Sequence, residues 1–147
     1  MRSVSLWLVN KSEYTNLLSQ ACGANPIGVF TTHFREGKME IQIRKVEEDD
    51  LPQTLDLYAQ LDMDNGEVVP LDSARKLFNK LKKYPEYAIF VATSKGETIG
   101  TFSLLIMDNL VHGGAPSGIV EAVVVTPKYR GIGIGKKMMG FVSPDIS

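Results

Sequence analysis

A single cysteine, Cys22, stands in a chain of 147 residues. No internal disulfide framework can form, and one thiol with only His33 and His112 as imidazoles does not build a zinc site, so no metal is expected. Charge of one sign is lacking too: 16 basic residues meet 17 acidic ones for a net charge of -1. That leaves no basic surplus for nucleic acid and no acidic tail. Long hydrophobic runs are missing as well. The opening Met1 to Val9 carries one positive charge and a brief apolar run that Asn10-Lys11 interrupt before a secretory core is reached, and no stretch approaches the roughly 20 apolar residues of a membrane span. A reducing, cytoplasmic setting without a membrane or nucleic-acid partner is the expectation. With 44% hydrophobic residues, the chain can bury one core and is short for two domains.

What is present concentrates near the end, in the run from Ile119 to Met139. Ile119 to Val125 is β-branched and apolar on both faces, as in a buried strand, and Thr126-Pro127 ends it because proline cannot donate to a ladder. Gly131, Gly133 and Gly135 follow. Without a Cβ, they let several backbone N–H groups face one ligand, and a helix starting there aims its positive dipole end at the same place. This is an anion site, and phosphate is the anion it suits.

Two common glycine motifs fail on spacing. A Walker loop needs Ser or Thr after Gly135-Lys136 and a glycine at Arg130, whereas Lys137 follows here. A dinucleotide fingerprint begun at Gly131 needs glycine at Lys136, and one begun at Gly133 needs it at Met138. The pattern that fits is Arg/Gln-x-x-Gly-x-Gly/Ala, met at Arg130, Gly133 and Gly135 after a valine-rich strand. This resembles motif A of the GNAT-type N-acetyltransferases, in which the turn holds the pyrophosphate of acetyl-CoA.

The rest of the chain is consistent with that resemblance from Met39 onward. Residues 1–38 show no sustained period; Cys22 to Gly28 is turn chemistry, and Ser12 to Gln20 suits one short helix. Glu40 to Val46 alternates as a strand, and Met-x-Ile-x-Ile-Arg is how many GNAT domains begin, which would make Met39 the natural start. Glu47 to Asp50 with Pro52 opens a helix carrying Leu51, Leu55, Tyr58 and Leu61. Asp72 or Ser73 caps a second helix with Ala74, Leu77, Phe78 and Leu81 inward; its Arg75, Lys76, Lys80, Lys82 and Lys83 read as a solvated face. Tyr87 to Thr93 and Thr98 to Met107 form a hairpin about Ser94 to Glu97, and Asp108 to Ser117 is a loop beside the valine strand. The order is β, α, α, β, β, β, α.

The resemblance implies an α/β (α+β) domain over 39–147 with the GNAT-like acyl-CoA N-acyltransferase fold, a mixed and mostly antiparallel sheet flanked by helices, behind a weakly ordered extension at 1–38. Family members continue past the helix that Ser143-Pro144 breaks here, so the C-terminal strands are expected to be absent. The implied activity is acetyl transfer from acetyl-CoA to a primary amine of a small molecule or amino sugar, by direct attack. The implied cofactor contacts are backbone groups of Val123, Val124 and Val125 and the turn Arg130, Gly131, Ile132, Gly133, Ile134, Gly135 and Lys136. Glu121 is the candidate general base, with pairing to a nearby cation or to the backbone as its structural alternative. His112 is the candidate substrate contact, its plain reading being a surface histidine. A rival reading is an acetyl-CoA-binding fragment or module without catalysis. An open edge of the valine strand would favour a homodimer through that edge.

Overall fold

The computed structural model describes residues 5–8, 32–36, 39–61 and 64–142, the first two segments as backbone. They build a six-stranded antiparallel sheet in the order β1-β6-β5-β4-β3-β2. The strands are β1 (Ser5–Leu8), β2 (Thr32–Glu36), β3 (Met39–Lys45), β4 (Tyr87–Ser94), β5 (Glu97–Met107) and β6 (Ser117–Val125). Three helices cover it: α1 (Leu51–Tyr58), α2 (Leu71–Leu81) and α3 (Ile134–Val142).

Each face of the sheet has its own core. On one side Ile134, Met138 and Val142 of α3 pack on Ile41, Ile43, Phe90, Phe102, Leu104 and Val120. Phe90 and Phe102 stack at 5.1 Å, and Phe141 meets Phe90 edge-on at 5.3 Å, both favourable ring geometries. On the other side Leu51 of α1 and Phe78 of α2 close on Val46 and Val91. Because both faces are covered, β4 and β5 are buried along nearly their whole length and read as continuous apolar runs.

Local chemistry sets the helix starts. A 3-10 turn, Glu48–Asp50, leads into α1, where Pro52 sits in the first turn with no N–H to lose. Asp50 Oδ2 accepts from the Glu47 N–H at 2.7 Å, while Arg44 donates to both Asp50 oxygens at 2.6 and 2.8 Å. Burial pushes the Asp50 carboxyl up, but the guanidinium and the Glu47 N–H outweigh it and hold the group below the usual carboxylate range.

Several expectations change on contact with the fold. Helix α2 begins after Pro70 with no side-chain cap, so neither Asp72 nor Ser73 caps it, and Leu77 is 46% exposed, the helix turning Leu71, Ala74 and Phe78 inward instead. Within 1–38 the described residues are β1 and β2; the helix expected over Ser12 to Gln20 lies outside the described residues. Strand β1 pairs with Ser117 to Val120, so the outer edge of β6 is covered over its first half. Among the described residues no strand covers Glu121 to Val125 on that side, which is why Val123, expected to be buried, is 41% exposed.

Candidate functional site

A break in register creates the open part of β6. Thr101 pairs with Val124 and Ser103 with Glu121, so two steps along β5 correspond to three along β6. The extra residue is a β-bulge, and Ala122 takes it up at φ +52°. A non-glycine residue held in the left-handed region costs on the order of 1 kcal/mol, which the surrounding ladder must sustain. The bulge also decides direction. Without it, Glu121 and Val124 would point to opposite faces; with it, both lie on the face that α1 covers. Val124 is buried there, while Glu121 is exposed, and its carboxylate makes no hydrogen bond or ion pair among the described residues. The structural alternative for Glu121, a paired carboxylate, is therefore not what the described residues form.

Beyond the bulge the ladder ends with Thr126 N–H donating to Ile99 O at 2.9 Å, and a 3-10 turn, Pro127–Tyr129, follows. Gly131 and Gly133 then stand at φ +81° and +85°, with nothing within 4 Å of an added Cβ, so conformation rather than space calls for glycine at both. Lys137 N–H makes the first helical bond, to Gly133 O at 3.0 Å. The amides of Ile134, Gly135 and Lys136 precede it and have no carbonyl to donate to within the helix. Arg130 and Lys136, both exposed, supply positive charge beside them. Unpartnered helix-start amides with flanking cations fit a phosphate or pyrophosphate group.

Packing holds this turn in place. Ile134 and Met138 are buried at 1% and 0%, so Ile134 offers the site its backbone alone. A Cβ on Gly100 would stand 2.9 Å from Met138 Sδ and 3.0 Å from Val124 O, and one on Gly135 would stand 4.0 Å from Val125 Cγ2; α3 thus sits close on β5 and β6. Glu97 ties the turn to the β4–β5 hairpin, accepting from the Tyr129 hydroxyl at 3.3 Å and facing Lys128 Nζ at 3.6 Å. The Tyr129 hydroxyl, and then the Glu97 carboxylate, raise the Lys128 ammonium above its ordinary value. Arg130 spends its Nε on Val125 O at 2.8 Å, so the side chain caps the strand end while its charge stays at the turn.

His112 lies in a 3-10 turn, His112–Gly114, at the far end of β6 from the glycine turn. Asn109 holds that loop by donating to Ala115 O at 2.8 Å and Ser117 Oγ at 2.7 Å. The valines and the turn residues are thus brought together, with Glu121 at the bulge between that turn and the loop of His112. A depression of about 500 Å³ lined by Arg44, Asp50, Thr93 and Lys95 lies away from all of these, at the β3 and β4 end of the sheet. Its Arg44 and Asp50 already satisfy each other, which argues for structure rather than ligand. No group of three or more His, Cys, Asp or Glu able to hold a metal ion occurs among the described residues, and none of their helices is long and apolar enough to cross a membrane.

The α1 face adds residues that the sequence did not mark. Thr101 is fully buried and its hydroxyl donates to Phe90 O at 2.9 Å, and Ser103 Oγ donates to Glu121 O at 3.3 Å. Nothing in Ala122 itself signals a bulge, since glycine is the residue that usually does so.

Comparison with known proteins is consistent with this geometry. Residues 46–143 match the model of the acetyltransferase (GNAT) family. The chain is 30% identical over 105 residues to a glucosamine 6-phosphate N-acetyltransferase of Trypanosoma brucei brucei, which covers 69% of this chain and 68% of that relative. The crystal structure of glucosamine-6-phosphate N-acetyltransferase from Arabidopsis thaliana superposes with a TM-score of 0.62 at 26% identity, covering 72% of this chain and 73% of the other. A Trypanosoma brucei acetyltransferase superposes with a TM-score of 0.56 at 26% identity, covering 71% and 73%.

Proposed function

Since this chain belongs to the GNAT acetyltransferase family and is an acetyl-CoA-dependent N-acetyltransferase, we propose that its acceptor is the primary amine of a small amino sugar phosphate and that Glu121 is the base. One observation carries the second half of this reading: a carboxylate without a partner among the described residues stands on a bulged, open strand edge that runs directly into a turn with three amides likewise unpartnered among them. The first half is supported by the two similar N-acetyltransferases whose names specify glucosamine 6-phosphate.

Acetyl-CoA, when bound, supplies an activated acetyl carbonyl and a thiolate leaving group. The chain's own part begins at the turn. Amides of Ile134, Gly135 and Lys136, with those of the glycine turn, hold the pyrophosphate; hydrogen bonds to a charged group contribute about 1.5–3 kcal/mol each, so no metal is needed for affinity. Arg130 and Lys136 offset its charge. The outer edge of Glu121 to Val125 offers backbone donors and acceptors to an extended amide-bearing chain, in the way a strand edge accepts another strand. Glu121 then takes the proton from the incoming ammonium, because only the neutral amine has a lone pair for attack. The loop from Asp108 to Pro116, with His112 at its turn, borders the acceptor.

The test is direct. The chain is incubated with acetyl-CoA and either glucosamine 6-phosphate or glucosamine, and thiol release is followed together with product mass. Acetylation of the phosphorylated sugar well above the free sugar supports the reading. Equal or absent transfer to both, with transfer to another amine, rejects the sugar phosphate and leaves the acetyltransferase standing.

A further inference from the structure

The hydroxyl of Ser103 in β5 donates to the carbonyl oxygen of Glu121 at 3.3 Å, across the register pair that closes one end of the β6 bulge. Ser103 is 3% exposed, which leaves little room for water to take its place. In a trans peptide the C=O and the N–H point in opposite directions. With the Glu121 oxygen drawn toward β5, the N–H of the next residue, Ala122, points away from β5, to the side where no strand among the described residues covers Glu121 to Val125.

Ala122 itself opposes this arrangement. Its φ of +52° lies in the left-handed region, which alanine occupies only at a cost. Turning the Glu121–Ala122 peptide over would carry that φ to about −130°, an ordinary extended value, and would hardly move the chain on either side. The same rotation would swing the carbonyl outward and the N–H inward. Backbone preference therefore favours the flipped peptide, and an interaction on the observed side has to outweigh it. A buried hydroxyl on the Glu121 carbonyl is such an interaction. Thr101, two residues earlier on the same face of β5, sends its hydroxyl the other way, to Phe90 O in β4 at 2.9 Å.

We infer that Ser103 is a positioning residue for acetyl transfer: its bond to the Glu121 carbonyl holds the Ala122 N–H outward on the open edge of β6. The inference rests on the reading of that edge as the seat of the acetyl-CoA chain. In the transfer the proton of the amine goes to the base, the amine nitrogen bonds to the acetyl carbon, and the C–S bond breaks with its electron pair leaving on the thiolate. A donor fixed at the edge stabilises the negative charge that gathers on the acetyl carbonyl oxygen between bond formation and bond breaking. It must stand there beforehand, because a peptide that has to turn over during the reaction gives back part of what it stabilises.

Ser103→Ala removes the hydroxyl and little else. The expected result is a fall in kcat of about three- to tenfold, the size of one lost hydrogen bond, with KM for acetyl-CoA changed less than about twofold because the glycine turn is untouched. Thr101→Val, which removes the neighbouring hydroxyl, should lower the urea midpoint and leave kcat as it is. Native kcat in Ser103→Ala would overturn the proposal, and so would equal kcat losses in the two variants, the mark of a merely structural role. Should Thr101→Val not fold, Ser103→Thr decides: it keeps a hydroxyl and should recover most of the loss, and no recovery overturns the proposal. In a Glu121→Gln background the Ser103→Ala loss should keep its size; a loss that vanishes there would put Ser103 behind the carboxylate instead of the N–H and overturn the proposal too. Amide exchange of the native chain separates this inference from the reading beneath it. Slower exchange at Ala122 with acetyl-CoA supports the edge reading whatever Ser103→Ala does, whereas no slowing at Ala122 rejects that reading and the inference with it.

Discussion

Arg130 donates its Nε to the carbonyl oxygen of Val125 at 2.8 Å, folding the side chain back across the turn that its own residue begins. The bond joins the last residue of β6 to the residue before Gly131, so the strand end and the anion-binding amides move as one unit. Its guanidinium charge remains in solvent beside the unpartnered amides.

Replacing Arg130 should therefore harm binding more than folding. For Arg130→Ala we expect acetyl-CoA affinity to fall about tenfold, or about 1.4 kcal/mol, by calorimetry. Arg130→Lys restores the charge without the fork that reaches Val125 and should recover part of that loss. A variant that binds as tightly as the native chain would remove Arg130 from the site.

Gly133 and Gly96 form a matched pair. Both have φ near +80°, at +85° and +80°, and both would place an added Cβ in open space. Alanine at either position should cost stability by about 1 kcal/mol in urea unfolding, since the strain is the same. Only Gly133→Ala should also weaken acetyl-CoA binding, because only its strain is relieved by moving the amides. Equal binding losses in the two variants would mean that the turn has no special role.

Glu121→Gln removes a base while keeping the shape of the side chain. General-base loss is worth about a hundredfold or more in rate, so kcat should drop by at least that order while acetyl-CoA affinity stays level. A kcat within about threefold of native would reject the assignment.

The pair Arg44 and Asp50 predicts an acid-side weakness. Because the Asp50 carboxyl is held below its unfolded value, the native state binds its proton less readily than the unfolded chain does. Its contribution is complete above the unfolded value of about 3.9 and is lost as pH falls through the lower folded value. Asp50→Asn should cost about 2 kcal/mol near neutrality and flatten the fall in stability between about pH 4 and the acid limit. Denaturant midpoints measured across that range would show an unchanged slope if the pair were inert.

Much of this was legible in the sequence because local chemistry decided it. The hairpin of β4 and β5 followed from two apolar runs about the Lys95-Gly96 turn, and the glycine turn announced itself because Gly131 and Gly133 need a conformation that other residues avoid. The bulge was not legible, because Ala122 as a residue carries no mark of positive φ. Leu77 had the helical spacing of a core residue, yet α2 turns Leu71, Ala74 and Phe78 inward and leaves Leu77 at the surface, a fact of tertiary placement. Strand β1 was hidden for a third reason. Its partner, Ser117 to Val120, lies at the other end of the chain, and four residues do not declare a mate at that distance.

That last pairing bears on how the molecule is made. Ser5 lies opposite Val120, so β1 cannot pair until β6 has been made, and closing so long a loop is slow in any chain. Until β6 is synthesised the nascent β1 has no place beside it, and the edge of β6 next to the bulge takes its covered form only when these two distant strands meet.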